Sequence, residues 1–280
     1  AKICYFQRSY ESPALFLIFN TIFRGDLAAY KARVLEAGLT EDDWKAFTVY
    51  VAAVFQNCGN YKSFGDSKFV PELEKEKLVQ IIKLSPSYGD KSEVIDRLWA
   101  AIETEVFAFV PPYQEIGFKD NKGHSSYYSS NIEKADIDFI NEFAKTIEMD
   151  PITTRLFKTE TDGNVHYHLR LASSVTDDEG KLDYLKEYTH DGKKVTVARG
   201  DFAVFLGKVA DNLSKAAEFA ANETQKQMIN AYVEHFKFGD VNKHKDSQRF
   251  WIKDLNPAVE TNIGFIETYL DPAGVRAEFE

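Results

Sequence analysis

Cysteine is nearly absent: Cys4 and Cys58 are the only two in 280 residues. So sparse a set excludes a disulfide framework and suits a reducing compartment better than export, so a cytoplasmic location is expected. Long apolar runs are missing as well. The longest near the start, residues 14–18 followed by Phe19, Ile22 and Phe23, is interrupted by Asn20 and Thr21. A membrane span needs roughly 20 apolar residues, and no secretory leader pattern opens the chain. Positive charge is in deficit, 34 Lys and Arg against 44 Asp and Glu for a net charge of -10, which argues against nucleic acid or an anionic membrane as partner.

Familiar catalytic motifs are missing too. The sequence has no G-x-G-x-x-G after a strand, no Walker loop, no C-x-x-C, no G-x-S-x-G elbow and no H-E-x-x-H. His166 and His168 come closest to a ligand pair. On a strand they share one face, but no third ligand is near in sequence, and they read as solvated polar-face residues. His124, His190, His235 and His244 each stand alone.

What is present is an ordinary globular composition, 44% hydrophobic and 28% charged, enriched in rings: Phe 22, Tyr 14 and Trp 3. Such a set suits a large core and a ring-lined cleft. Residues 1–150 read as mainly helical. Pro13 sits in a first turn, Thr40 and Asp43 make a capping-box spacing, Pro71 opens a helix carrying Leu78, Ile81 and Ile82, and Asn131 caps one carrying Ile137, Ile140 and Phe143. After Pro151 the period changes to two. The turns Asp162-Gly163-Asn164 and Asp191-Gly192 predict hairpins, and helices resume at Asp201, with Asn222 and Gln225 repeating the capping spacing. The expected fold is therefore α+β, a helical half packed with an antiparallel, barrel-like sheet, divided for description at 1–150 and 151–280.

Two segments carry candidate chemistry. NCGNYKSFGDSKFVP (57–71) has no regular period and presents Tyr61, Phe64 and Phe69 from irregular backbone; it is either a ring-lined grip for an extended ligand or a packed capping loop. Glu260 and Glu267, with Tyr269, Asp271, Arg276, Glu278 and Glu280, offer either a carboxylate anchor for an ammonium group beside apolar chain or a solvated acidic face.

Those segments, together with TTRLFK (153–158), HLRLAS (168–173), VARGDF (197–202) and SQRFWIKDLNPAVETNIGFIETYLDPAGVRAEFE (247–280), closely resemble the dipeptidyl peptidase III family, the zinc exopeptidases of peptidase family M49. The resemblance is collinear over almost the whole chain. It implies the lower, substrate-binding lobe of a two-lobed enzyme that releases dipeptides from the free N-terminus of short peptides. Zinc would be held by motifs of the upper catalytic lobe that this sequence does not contain, so the segment alone is expected to be inactive, with no catalytic or metal residue of its own. By the same resemblance, Phe64 lines the pocket for the peptide's first side chains and Glu260 holds its α-ammonium. Asn262 stands where many members have a tyrosine that hydrogen-bonds the peptide. The implied partners are short peptides and the remaining lobe, in a monomer. A non-catalytic peptide-binding or interaction module is the alternative.

Overall fold

A computed structural model describes residues 2–177, 179–180 and 182–280. The chain divides into two compact units: one runs to Gly117 and includes Asn121–Ser126, and the other comprises Phe118–Asp120 and Tyr127–Glu280.

The first unit is helical: α1 (Lys2–Arg8), α2 (Ser12–Ile22), α3 (Leu27–Glu36), α4 (Glu41–Gln56), α5 (Lys75–Leu84), α6 (Ser92–Ala100) and α7 (Glu103–Phe107). Local chemistry sets the starts. Pro13 lies in the first turn of α2, and the Asp26 carboxylate accepts from Ala28 and Ala29 to open α3. Thr40 and Asp43 form the reciprocal capping box of α4. The helices then bury a ladder of rings. Tyr30 meets Trp44 edge-on at 5.1 Å, Phe23 stacks on Phe47 at 5.5 Å, and Phe19 meets Phe47 edge-on at 6.2 Å. Each fully buried ring contributes about 1.5–3 kcal/mol relative to exposure. Pro71, expected to open a helix, does not. The Phe69 N–H donates to the Asn60 carbonyl, which keeps the preceding chain extended, and α5 begins only at Lys75.

In the second unit α8 (Lys134–Thr146) lies against a four-stranded sheet built from β1 (Thr154–Thr161), β2 (Asn164–Ala172), β3 (Glu187–His190) and β4 (Lys193–Asp201). Both hairpin turns form where the sequence places them. Asp162, Gly163, Asp191 and Gly192 all take positive φ, the backbone that two-residue turns require. The sheet is open rather than a closed barrel, and it is mixed rather than wholly antiparallel, in the order β1-β2-β4-β3. Each hairpin is antiparallel within itself, but the two join through their second strands, and that juxtaposition makes β2 and β4 run parallel. The remaining elements are α9 (Ala203–Ala217), α10 (Glu223–Phe238), α11 (Val241–Trp251), β5 (Phe265–Glu267) and β6 (Glu278–Phe279). Asn222 caps α10 by accepting from the Gln225 N–H at 2.8 Å.

Ile137, Ile140 and Phe143 of α8 share one core with Leu156, Tyr167, Leu169, Val195 and Val197 of the sheet. The cap of α8 is Glu133, paired reciprocally with Asp136, rather than Asn131. Asn131 is engaged elsewhere: its amide donates to the Lys158 carbonyl and its oxygen accepts from Ser129. Asp136 does more than cap. It accepts from the Lys158 ammonium at 2.7 Å and from the Tyr167 hydroxyl at 2.6 Å, tying α8 to both strands of the first hairpin. Burial alone would raise the Asp136 pKa, but the bonds from Lys158, Tyr167 and the Glu133 N–H outweigh it and leave the carboxyl below its ordinary value.

Because the folded pKa is depressed, this contribution to stability is present above the unfolded value of about 3.9 and is lost as pH falls through the folded one. Asp136→Ala is expected to destabilise the protein by about 3–5 kcal/mol at neutral pH, since it leaves the Lys158 charge buried without this partner. Asp136→Asn should flatten the dependence of Tm on pH below about 4. Denaturant melts and a pH series check both; equal acid slopes for wild type and Asp136→Asn would remove the carboxylate from the account.

Candidate functional site

The 57–71 segment begins where α4 stops. Asn57 closes the helix with its amide on the Ala53 carbonyl at 2.8 Å, while its oxygen accepts from the Ser63 N–H and hydroxyl. Cys58 then takes positive φ, and Gly59 follows at a point where the side chains of Ser12 and Arg8 fill the space a Cβ would need. Asn60 is buried. Its oxygen accepts from Ser9 and Ser12, and its amide donates to Glu11 at 2.9 Å.

The same Glu11 oxygen pairs with Lys68 at 2.9 Å, and the two side chains are 1% and 0% exposed. Lys68 also donates to the Glu105 carbonyl, and its N–H donates to the Gln114 carbonyl. Burial alone would raise the Glu11 pKa, but the Lys68 charge and the bonds from Lys68 and Asn60 hold it below its ordinary value. Tyr61 is fully buried, donating its one hydroxyl proton to the Tyr113 carbonyl at 2.7 Å. The His124 Nε2 at 2.6 Å must therefore be the donor to Tyr61, which fixes the ring's tautomer, and burial lowers the His124 pKa.

These bonds hold the base of a hairpin-like loop in which Tyr61 bridges to Lys68 and the Lys62 N–H donates to the Ser67 carbonyl. Phe64 sits at its tip, 77% exposed. The three rings singled out in the sequence thus separate. Tyr61 is core, Phe69 packs edge-on to Tyr50 at 5.9 Å, and Phe64 alone of the three faces solvent.

Glu260 and Asn262 lie in the second unit, on the irregular stretch between α11 and β5, and both are exposed. The stretch is tied at several points. Gln225 donates to the Val259 carbonyl at 3.3 Å, Asn222 donates to Asp254 at 2.8 Å, and Gly264 and Glu280 exchange both backbone hydrogen bonds. The Asn262 oxygen accepts from the Gln248 amide at 3.0 Å and from the Tyr232 hydroxyl at 3.3 Å, so its amide hydrogens are directed away from these partners. Sequence reasoning missed Tyr232 and Gln248, and no motif marks them: each is one polar residue on a helix whose face toward Asn262 is set by tertiary packing.

The acidic set of the last segment divides as well. Asp271, Arg276 and Glu278 are buried, whereas Glu260, Glu267 and Glu280 are exposed. Asp271 accepts from the N–H groups of Ala273, Val275 and Arg276 and from the Tyr128 hydroxyl. Those bonds make it a fixed turn rather than a free acidic group. Burial, followed by repulsion from Glu267, raises the Glu280 pKa. His235 and His244, isolated in sequence, meet with ring centroids 5.3 Å apart, and burial lowers the pKa of His235 to about 4. The rings of His166 and His168 lie 4.0 Å apart and bond to Thr196 and Thr159. Among the described residues no three His, Cys, Asp or Glu side chains form a metal site. By themselves these residues do not offer the donor set of the zinc that the resemblance implies.

Three of the recognised segments interlock. Arg155 of TTRLFK makes a two-pronged pair with Asp201 of VARGDF, both bonds 2.6 Å, and the Arg170 guanidinium of HLRLAS stands 4.5 Å from the Phe157 ring centre. A family model, peptidase family M49, matches residues 98–280, and the chain belongs to that family. Among its relatives, dipeptidyl peptidase 3 of Nematostella vectensis is 42% identical over 294 residues, covering 100% of this chain and 40% of that protein. Dipeptidyl peptidase 3 of Rattus norvegicus is 41% identical over 281 residues, covering 98% and 38%, and that of Dictyostelium discoideum is 39% identical over 280 residues, covering 100% and 38%. The chain spans about 40% of the length of the curated relatives it matches.

Lys68→Met is expected to destabilise the protein by about 3–5 kcal/mol, because it strands the Glu11 charge in the core. Phe64→Ala should stay within about 0.5 kcal/mol of wild type, as an exposed ring should. Thermal and urea melts read both. The opposite ranking would put Phe64 in the core and the ion pair outside it.

Proposed function

We propose that the chain is the substrate-binding lobe of a zinc-dependent dipeptidyl peptidase that takes short peptides by their free N-terminus. The observation that carries this reading is Glu260: an exposed carboxylate on a tethered segment, two residues before an asparagine whose orientation is fixed by Tyr232 and Gln248. Glu260 accepts hydrogen bonds from the peptide's α-ammonium, and the Asn262 amide donates to a peptide carbonyl. Gripping the amino end sets how many residues extend beyond the anchor, which is what a dipeptidase must measure. Phe64 makes apolar contact with the peptide's side chains. In the full-length protein zinc would be held by residues outside this chain and would supply Lewis-acid activation of the scissile carbonyl and of water. Collinear similarity to the relatives supports the family part of this reading.

Glu260→Gln in the full-length protein preserves size and removes the charge. For peptides with a free α-ammonium, kcat/KM is expected to fall by about 1.5–3 kcal/mol, roughly 10- to 150-fold, while N-acetylated peptides change little. Steady-state kinetics on matched free and acetylated peptides check this. An unchanged ratio would make Glu260 a solvated acidic residue. Phe64→Ala should raise KM with metal content unchanged, measured alongside by elemental analysis. A full-length protein that binds peptides but holds no zinc and shows no turnover would instead be a peptide-binding module.

A further inference from the structure

We infer that Cys4 and Cys58 form a reversible dithiol–disulfide couple that latches α1 to the corner where α4 ends. These are the chain's only cysteines, far apart in sequence, yet their side chains are hydrogen-bonded to one another. The surrounding backbone holds them together independently of that bond. Cys4 and Arg8 lie one turn apart on the same face of α1, and the Arg8 side chain fills the space over Gly59, the residue after Cys58. Arg8 also reaches Ser63 with a donor at 3.4 Å. On the other side of Cys58, Asn60 is bonded to Ser9, Ser12 and Glu11, all in the short link from α1 into α2. The corner that carries Cys58 and the helix that carries Cys4 are therefore fixed on each other by contacts other than the cysteines' own.

The pair is also chemically prepared. Cys58 donates its thiol hydrogen to the Cys4 sulfur, and this bond is the main reason the Cys4 pKa lies below its ordinary value. Both residues are half-buried and so open to a small reagent. With a low-molecular-weight disulfide as oxidant, the Cys4 thiolate attacks one sulfur, forms a mixed disulfide and expels one thiolate. Cys58 then gives up its proton and attacks the Cys4 sulfur, closing the internal bond and expelling the second thiolate. Two protein thiols are oxidised, one external disulfide is reduced to two thiols, and excess thiol reverses the sequence. The closed bond ties α1 to the first residues of the loop that carries Phe64. This inference does not depend on the peptidase reading.

The test equilibrates the reduced full-length protein in glutathione buffers of increasing disulfide content, blocks remaining thiols by alkylation, and maps the peptides containing Cys4 and Cys58 by mass spectrometry. A Cys4–Cys58 linked peptide is expected, its fraction reversing on return to excess thiol. A rise in Tm of about 5 °C or more should accompany it, absent from Cys4→Ser and Cys58→Ser. Each cysteine capped separately by glutathione, both still alkylated at the most oxidising ratio, or a linked peptide without a rise in Tm would overturn the latch. The mapping needs only the wild-type protein, so a serine variant that folds poorly leaves the decision intact.

Discussion

A charge buried in a protein interior is tolerated only when its partner and the remaining lone pairs are placed with it, and in the first unit that requirement falls on Glu11 and Lys68. Meeting it recruits groups from separate stretches. Asn60 supplies a donor to the carboxylate, the Glu105 carbonyl takes another ammonium hydrogen, and Ser9 and Ser12 turn Asn60 the right way round. Since Asn60 and Lys68 stand at the two feet of the loop, the ion pair fixes the loop's base, while the tip carrying Phe64 remains outside. Hydrophobic burial alone would have drawn all three rings inward.

The second unit repeats the principle with different residues. Asp136 links a helix cap to Lys158 and Tyr167, Arg155 and Asp201 join the first strand to the end of β4, and Asp271 gathers three backbone N–H groups and Tyr128 around the turn before β6. Arg276, 0% exposed, places its guanidinium 5.2 Å from the Tyr128 ring centre and so extends that cluster. In each case a polar side chain does what a continuous apolar core would do less specifically: it selects one alignment of elements.

Features whose cause is local were legible in the sequence. Asp162-Gly163 and Asp191-Gly192 dictate tight turns through their own backbone preferences, and Thr40 with Asp43 caps α4 without outside help. Features decided by distant partners were not. Nothing within 57–71 distinguishes Tyr61, Phe64 and Phe69; the ion pair with Glu11 decides which ring is left exposed. Asn131 has the composition of a cap but is claimed by Lys158, and the parallel pairing of β2 with β4 depends on which edges of two hairpins meet. Glu260 and Asn262 stood out through family resemblance, whereas the clamp on Asn262 depends on the packing of α10 against α11.

The mutual hydrogen bonds of Gly264 and Glu280 carry one more consequence. They close residues 264–280 into a ring sealed at its neck, with β5 and β6 pairing just inside. Gly264 lies two positions from Asn262 and four from Glu260, so the neck pins one end of the irregular stretch that carries both.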